Sequence, residues 1–127
     1  EGLPGQCLDH LTMAPATTAE QLSRLGEGVD LFCAASGAVR LVDPLAALAV
    51  VLETEAPFDC VVVWTEPPRP MVCLEPWTAP RQALLSGDRL LRLNPGESLT
   101  LRCRYRVEAL ATDPGTVSAS DAERAVS

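Results

Sequence analysis

The chain has 127 residues, a length sufficient for one domain with a buried core. Since 47% of the residues are hydrophobic but only 4% are aromatic, the core should consist of valine, leucine and alanine. Its formal charge of −7 argues against nucleic acid and against anionic membrane surfaces, because both carry negative charge themselves. Five scattered cysteines without a C-x-x-C pair, together with a single histidine, argue against a zinc site and favour a reducing, cytoplasmic compartment. The longest apolar run, 45–52, is too short to span a bilayer.

The N-terminal residues give weak structural signals. Residues 1–16 carry glycine, proline and threonine without a clear period, so we predict an irregular lead-in. Thr17 or Thr18 can cap a short helix, and Gly26 can end it. The predicted domain therefore begins at residue 17.

From residue 38 onward the sequence predicts strands. Runs of aliphatic and β-branched residues alternate with turns rich in proline, glycine, asparagine and aspartate. The predicted strands are 38–42, 45–54, 58–65, 71–75, 90–93 and 98–108. Short strands at this spacing, separated by proline-rich turns, indicate an all-β fold, an antiparallel β-sandwich.

The last predicted strand has the clearest alternation in the chain. Its apolar positions are Leu99, Leu101, Cys103, Tyr105 and Val107, and polar or charged residues lie between them. This period of two predicts one buried face and one solvated face. Residues 109–127 are small, polar and acidic without a period, and we expect a disordered tail there, so the predicted domain covers 17–108.

The stretch 71–78 is the most informative for function. It places Glu75 at the end of an apolar strand, directly before Pro76. Proline disfavours helical backbone for the residue before it, so Glu75 should be extended and held in one orientation. Apolar neighbours such as Leu74 and Trp77 disfavour a charged carboxylate, which suits a general base. An acid that merely ends a strand is the alternative interpretation.

The face on which Glu75 lies depends on the hairpin register. A five-residue turn between the strands 58–65 and 71–75 is expected to place Val61 opposite Glu75. The acid would then share an apolar face with Val61, and Cys73 would lie on the opposite face from Cys60. A slip of one residue would move Glu75 to the other face.

Several segments resemble the C-terminal part of aldose 1-epimerases, the galactose mutarotase-like proteins. They are V-V-V-W-T at 61–65, V-C-L-E-P-W-T at 72–78, A-L at 83–84 and N-P-G-E-S-L at 94–99. The resemblance extends over roughly residues 28–108. It implies a galactose mutarotase-like supersandwich, of which this chain holds only the C-terminal half, with sugar bound on a concave sheet face.

The resemblance also implies a mechanism. In the family a glutamate takes the proton from the anomeric hydroxyl while a histidine protonates the ring oxygen, so the ring opens and recloses as the other anomer. Glu75 matches the family's base within its motif, and Asp30 in G-V-D-L-F matches a segment whose aspartate contacts sugar hydroxyls. The family's acid histidine and a sugar-binding arginine lie in the N-terminal half, which this chain does not contain. We therefore expect the partner acid of Glu75 to lie outside this chain, and we interpret His10 as a surface residue.

The prediction is therefore an isomerase that interconverts sugar anomers without a metal or another cofactor, acting on a hexose or a hexose phosphate. For a phosphorylated sugar, Arg69 or Arg81 would hold the phosphate, since guanidinium suits bidentate anion contacts. Pairing of Arg81 with a nearby acid on the surface is the preferred interpretation. A chain that begins at Glu1 rather than Met favours processing, or a piece of a longer enzyme.

Two other classes of function stay open. A non-catalytic carbohydrate-binding module would use Trp64 or Trp77 as a stacking platform for the sugar. A structural or adhesion sandwich would bind no small molecule, and would leave the placement of the Glu-Pro-Trp sequence unexplained.

Overall fold

The computed structural model describes residues 1–35 and 37–111. The strands are β1 Gln6–Asp9, β2 Ala14–Thr17, β3 Asp30–Ala34, β4 Ala38–Asp43, β5 Leu48–Thr54, β6 Cys60–Trp64, β7 Cys73–Trp77 and β8 Cys103–Ala109, and the helices are α1 Thr18–Ser23 and α2 Ala83–Ser86. This composition confirms the predicted all-β fold. In the described part of the chain, neither helix is long and apolar enough to cross a membrane. Most of the predicted tail lies outside the described residues.

The strands form two antiparallel sheets. The larger sheet has the order β2-β1-β3-β6-β7, and the smaller sheet has the order β4-β5-β8. Since side chains alternate along a strand, each sheet can turn one face toward the other. The main buried cluster between them consists of Cys7, Leu31, Cys33, Ala35, Val61 and Val63 from the larger sheet side, with Val39 and Leu52 from the smaller sheet. The fold is therefore sandwich-like, as the sequence predicts.

The expectation of an irregular lead-in over residues 1–16 is wrong. Residues 6–17 form the β1–β2 hairpin, and β1 also pairs with β3. The turn is fixed by Asp9, whose carboxylate accepts a hydrogen bond from Leu11 N at 2.8 Å and whose backbone oxygen accepts one from Met13 N at 2.7 Å. Four-residue strands are too short to show a hydrophobic period, so turn chemistry was the available signal. The short helix begins as predicted, with the Thr17 hydroxyl capping it.

The predicted register of the β6–β7 hairpin is wrong by one residue. Val62, not Val61, lies opposite Glu75. The β6–β7 ladder ends at Trp64 and Cys73, so residues 65–72 form the connection, which is longer than the predicted five-residue turn. Thr65 continues the pairing of β6 with β3, since its backbone N–H donates to Val29 O at 2.9 Å. Glu75 therefore lies on the face turned away from the core.

The same slip changes the cysteine prediction. Cys60 lies opposite Trp77, and Cys73 lies opposite Trp64, so the two cysteines share a face instead of lying on opposite faces. They are at opposite ends of the hairpin, and all five cysteines of the chain are free thiols.

Strand β8 has the predicted alternation but not the predicted burial. It begins at Cys103, and Leu99 and Leu101 lie in the irregular segment before it. Tyr105 is 50% exposed and Val107 is 69% exposed, because β8 is an edge strand among the described residues and the larger sheet covers it incompletely. The segment predicted as a strand at 90–93 is irregular as well.

Candidate functional site

The outer face of the larger sheet carries most of the chemistry of this chain. We call it the site face: His10, Asp30, Phe32, Val62, Trp64, Glu75 and Trp77. These residues share one side because Asp30 pairs with Trp64, Phe32 pairs with Val62, and Val62 pairs with Glu75 across three neighbouring strands. The residues that alternate with them, such as Leu31 and Val63, belong to the core. The fold thus places the two predicted site residues, Glu75 and Asp30, on one face.

Glu75 is held by two indole groups. Trp64 Nε1 donates to Glu75 Oε1, and Trp77 Nε1 donates to Glu75 Oε2 at 2.8 Å. Trp77 lies two residues further along the same strand, and Trp64 is the diagonal neighbour on β6. Both hydrogen bonds compensate the carboxylate for its partial burial, so it is oriented rather than simply surrounded by apolar groups.

His10 is the residue that sequence reasoning missed. It is 2% exposed rather than on the surface, and its backbone N–H donates to Asp30 O at 2.8 Å. Its imidazole lies 5.0 Å from the Phe32 ring and 5.4 Å from the Trp77 ring, measured between centroids. The neighbouring Asp9 turn was the sequence signal that could have brought His10 into the sheet.

The two ring nitrogens of His10 have different environments. Nδ1 lies 3.2 Å from Asp30 Oδ1, and because a carboxylate accepts, we assign the proton to Nδ1. Nε2 is buried and has no hydrogen-bond partner among the described residues. Burial lowers the pKa of the imidazole, an effect that Asp30 opposes and Arg81 reinforces. A neutral imidazole with an available Nε2 lone pair is the form that follows.

Asp30 connects His10 to Arg81. Its side chain is 10% exposed, with one oxygen near His10 Nδ1 and the other accepting from Arg81 Nη2. Arg81 comes from the segment after β7, is 46% exposed, and also approaches His10 O with Nη1 at 3.5 Å. Arg81 pairs with a nearby acid as expected, but that acid is the buried Asp30 rather than one on the surface. Asp30 fixes the histidine tautomer in the way that a carboxylate does in acid–base sites.

An open depression of about 370 Å³ lies beside this cluster. Its walls include Asp30 and Trp64, together with the acidic side chains of Glu27 and Glu66. That volume falls within the range of small-molecule sites, and carboxylates and an indole suit a polyhydroxylated ring. His10 and Glu75 are not among the residues that line the depression. In residues 1–35 and 37–111 there is no group of three His, Cys, Asp or Glu side chains placed to hold a metal ion.

No protein-family model matches this chain, and no curated protein matches it either. Among solved structures, it is similar to the Slr1438 protein of Synechocystis sp. PCC 6803, with 26% sequence identity and a TM-score of 0.76. The match covers 84% of this chain but 38% of that protein, so the chain spans well under half of the other protein's length. The likeness supports the sandwich-like fold described above.

Proposed function

We propose that this chain carries the proton-transfer face of an aldose 1-epimerase-like isomerase, with Glu75 as the general base and His10 as its partner acid. The observation that carries the proposal is the presence, on one sheet face, of an oriented carboxylate and an imidazole that Asp30 holds by Nδ1. The resemblance of the segments around Glu75 to that family supports the reaction class.

The proposed reaction moves two protons and breaks one ring bond. A Glu75 oxygen accepts the proton of the anomeric hydroxyl. Protonated His10 donates from Nε2 to the ring oxygen, and because Nε2 is buried in the unliganded chain, this step requires the side chains that cover it to move aside when the sugar binds. The bond between the anomeric carbon and the ring oxygen breaks as the carbonyl forms. After rotation of the aldehyde, the reverse transfers close the ring as the other anomer and restore both residues.

The environment of His10 sets the working pH of this reaction. Because burial lowers its pKa, the imidazolium that donates the proton becomes abundant only below the ordinary value of 6.5. Asp30 accepts from Nδ1 in both protonation states, so it keeps Nε2 as the nitrogen that exchanges its proton. The proposed enzyme therefore works best in mildly acidic solution.

The proposed substrate is an unphosphorylated hexose. Arg81 is engaged by Asp30, and Arg69 pairs with Glu66 at 2.9 Å in an exposed turn, so both arginines already have carboxylate partners. A hexose phosphate would have to displace one of these ion pairs. A cytoplasmic location is part of the proposal, and the five free cysteines are compatible with a reducing compartment.

The test is polarimetry of freshly dissolved α-glucose and α-galactose with and without the chain. We expect Glu75→Gln to lower the catalysed rate by about 10²–10⁴-fold, the usual contribution of a general base. Glu55→Gln is the control, since that side chain is 70% exposed and lies away from the site face. No acceleration by the wild-type chain, or an unchanged rate in Glu75→Gln, would contradict the proposal.

The depression beside Asp30 and Trp64 favours a second candidate, a carbohydrate-binding module without catalysis. Binding of hexose, measured by calorimetry, in a chain that leaves the spontaneous rate unchanged would support it. The module does not require the two hydrogen bonds that orient Glu75.

A further inference from the structure

The two tryptophans of this chain converge on one carboxylate. The sequence contains no others, and both indole N–H groups donate to Glu75, one to each oxygen. They come from different strands, Trp64 from β6 and Trp77 from β7. A buried indole requires an acceptor, but a shared acceptor on a half-exposed face is not required by packing.

The neighbours of Trp77 restrict its ring. The Phe32 ring lies 6.5 Å away in an edge-on arrangement, and the His10 ring lies 5.4 Å away. Trp77 is therefore packed against the imidazole while it bonds to the carboxylate. The two groups that exchange protons in the proposed reaction are held relative to each other through this one side chain.

We propose that Trp64 and Trp77 are positioning residues for Glu75. Their two indole N–H groups, one on each carboxylate oxygen, fix the plane of the carboxylate. Each carboxylate oxygen has two lone pairs, so each keeps one for a substrate proton after accepting an indole N–H. Fixing the plane directs that lone pair, and misdirection of a reacting group is costly for rate. The catalytic consequence rests on the proposed function, whereas the hydrogen-bonded arrangement itself does not.

The first experiment measures kcat and KM for hexose in Trp64→Phe and Trp77→Phe, which keep an aromatic ring and remove the N–H. We expect kcat to fall roughly 10-fold to 100-fold with KM changed less than about twofold, because positioning acts on the reacting geometry. The control is Tyr105→Phe, which should leave kcat unchanged. It removes a 2.7 Å hydrogen bond from the Tyr105 hydroxyl to the backbone oxygen of Leu74, a residue of the strand β7 that also carries Glu75. Wild-type kcat in both tryptophan variants would overturn the positioning role.

A second version guards against variants that fail to fold. Replacing both tryptophans by 3-benzothienylalanine keeps the shape of the indole and removes only the N–H donor. We expect native circular dichroism with the same loss of kcat. Retention of kcat in this protein would overturn the proposal.

The third experiment needs no activity. In the ¹⁵N-labelled chain, two indole N–H signals are expected, and both should move in Glu75→Gln and stay in place in Glu55→Gln. An indole N–H chemical shift that is unchanged in Glu75→Gln would overturn the arrangement. Responsive indoles in a chain that does not accelerate mutarotation would instead refute the proposed function and leave the arrangement intact, so the two failures are distinguishable.

Discussion

The His10 side chain is buried and the Glu75 side chain is half-buried, and each is compensated differently. Glu75 receives two indole hydrogen bonds, whereas His10 receives one carboxylate at Nδ1 and nothing among the described residues at Nε2. A buried imidazole that lacks a partner for its second nitrogen is stable in its neutral form. The histidine should therefore make the stability of the protein depend on pH.

We expect the free energy of unfolding to fall as the pH drops below 6.5. The pKa of His10 is lowered in the folded chain, so between that value and 6.5 the unfolded state binds a proton that the folded state does not. The free energy of unfolding stops falling on this account once the pH passes below the pKa that His10 has in the folded chain. Urea unfolding at pH 7.5, 6.5 and 5.5 measures this dependence.

His10→Asn is the matched control for that measurement, because the chain has no other histidine. The variant should show a flat dependence over the same range. The carboxyl groups whose pKa is lowered, such as Glu97 and Glu108, lose their contribution only below their ordinary value of 4.5. A wild-type chain that is equally stable at pH 7.5 and 5.5 would contradict the buried neutral imidazole.

Local motifs single out Glu75 and Asp30 as candidate site residues, but no local motif singles out His10. Glu75 lies in a recognisable motif, whereas His10 is 20 residues before Asp30 in the sequence and meets it only through the pairing of β1 with β3. Long-range pairing of a four-residue strand leaves almost no local trace. The hydrogen bonds of the two tryptophans were equally unpredictable, because they depend on the hairpin register and the predicted turn length gave the wrong register.

At the scale of elements, β5 and β6 form the interior of the two sheets. Leu52 of β5 and Val61 of β6 are 0% and 1% exposed and belong to the same buried cluster. Tight packing means that a deleted side chain leaves a cavity the surroundings fill only partly. The stability of the sheet-to-sheet contact should therefore depend strongly on these positions.

Leu52→Ala is expected to lower the free energy of unfolding by about 2–5 kcal/mol, the usual cost for a buried leucine. Leu45→Ala is the control, because Leu45 is 97% exposed and its truncation should change stability by less than about 0.5 kcal/mol. Chemical denaturation of both variants tests the pair. Equal stabilities would mean that the core is elsewhere.

The strand predictions were most accurate for β4, β5 and β6, where runs of aliphatic residues are bounded by turn residues. Alternation in β8 predicted a buried face, but alternation reports only that two faces differ, and burial depends on what the opposite sheet covers. The predicted register of β6 and β7 was wrong because the connection runs over residues 65–72, longer than the predicted five-residue turn, and no local pattern encodes that length.

At the scale of the molecule, the first residues link the two sheets. Arg40 of β4 donates its backbone N–H to Glu1 O at 3.0 Å, while β1 begins at Gln6 in the larger sheet. Gly2 adopts φ +87, and a Cβ there would come within 3.0 Å of the Ala38 carbonyl oxygen. The close approach of two backbones therefore requires glycine.

Gly2→Ala should destabilise the protein by about 1–3 kcal/mol, since both the positive φ and the backbone contact oppose a side chain. Gly5→Ala is the control, because a Cβ there meets nothing within 4 Å. Thermal unfolding should separate the two variants. Equal melting temperatures would show that the segment does not connect the sheets.

Fold class was predictable at this scale, since regular strand spacing and proline-rich turns indicate a sandwich. The assignment of strands to sheets was not predictable. Strand β3 pairs with β6, which lies some 30 residues later in the sequence, while β4 and β5 between them belong to the other sheet.

If Glu75 and His10 exchange protons with a sugar, as proposed, the catalysed rate of hexose mutarotation should depend on pH through His10. The rate, corrected for the spontaneous reaction at each pH, should pass through a maximum as the pH rises. The decline should begin below pH 6.5, because His10 loses its proton below the ordinary histidine pKa. His10→Asn should abolish that basic fall together with most of the rate. A catalysed rate that keeps rising through pH 7.5, or a profile unchanged in His10→Asn, would contradict the account.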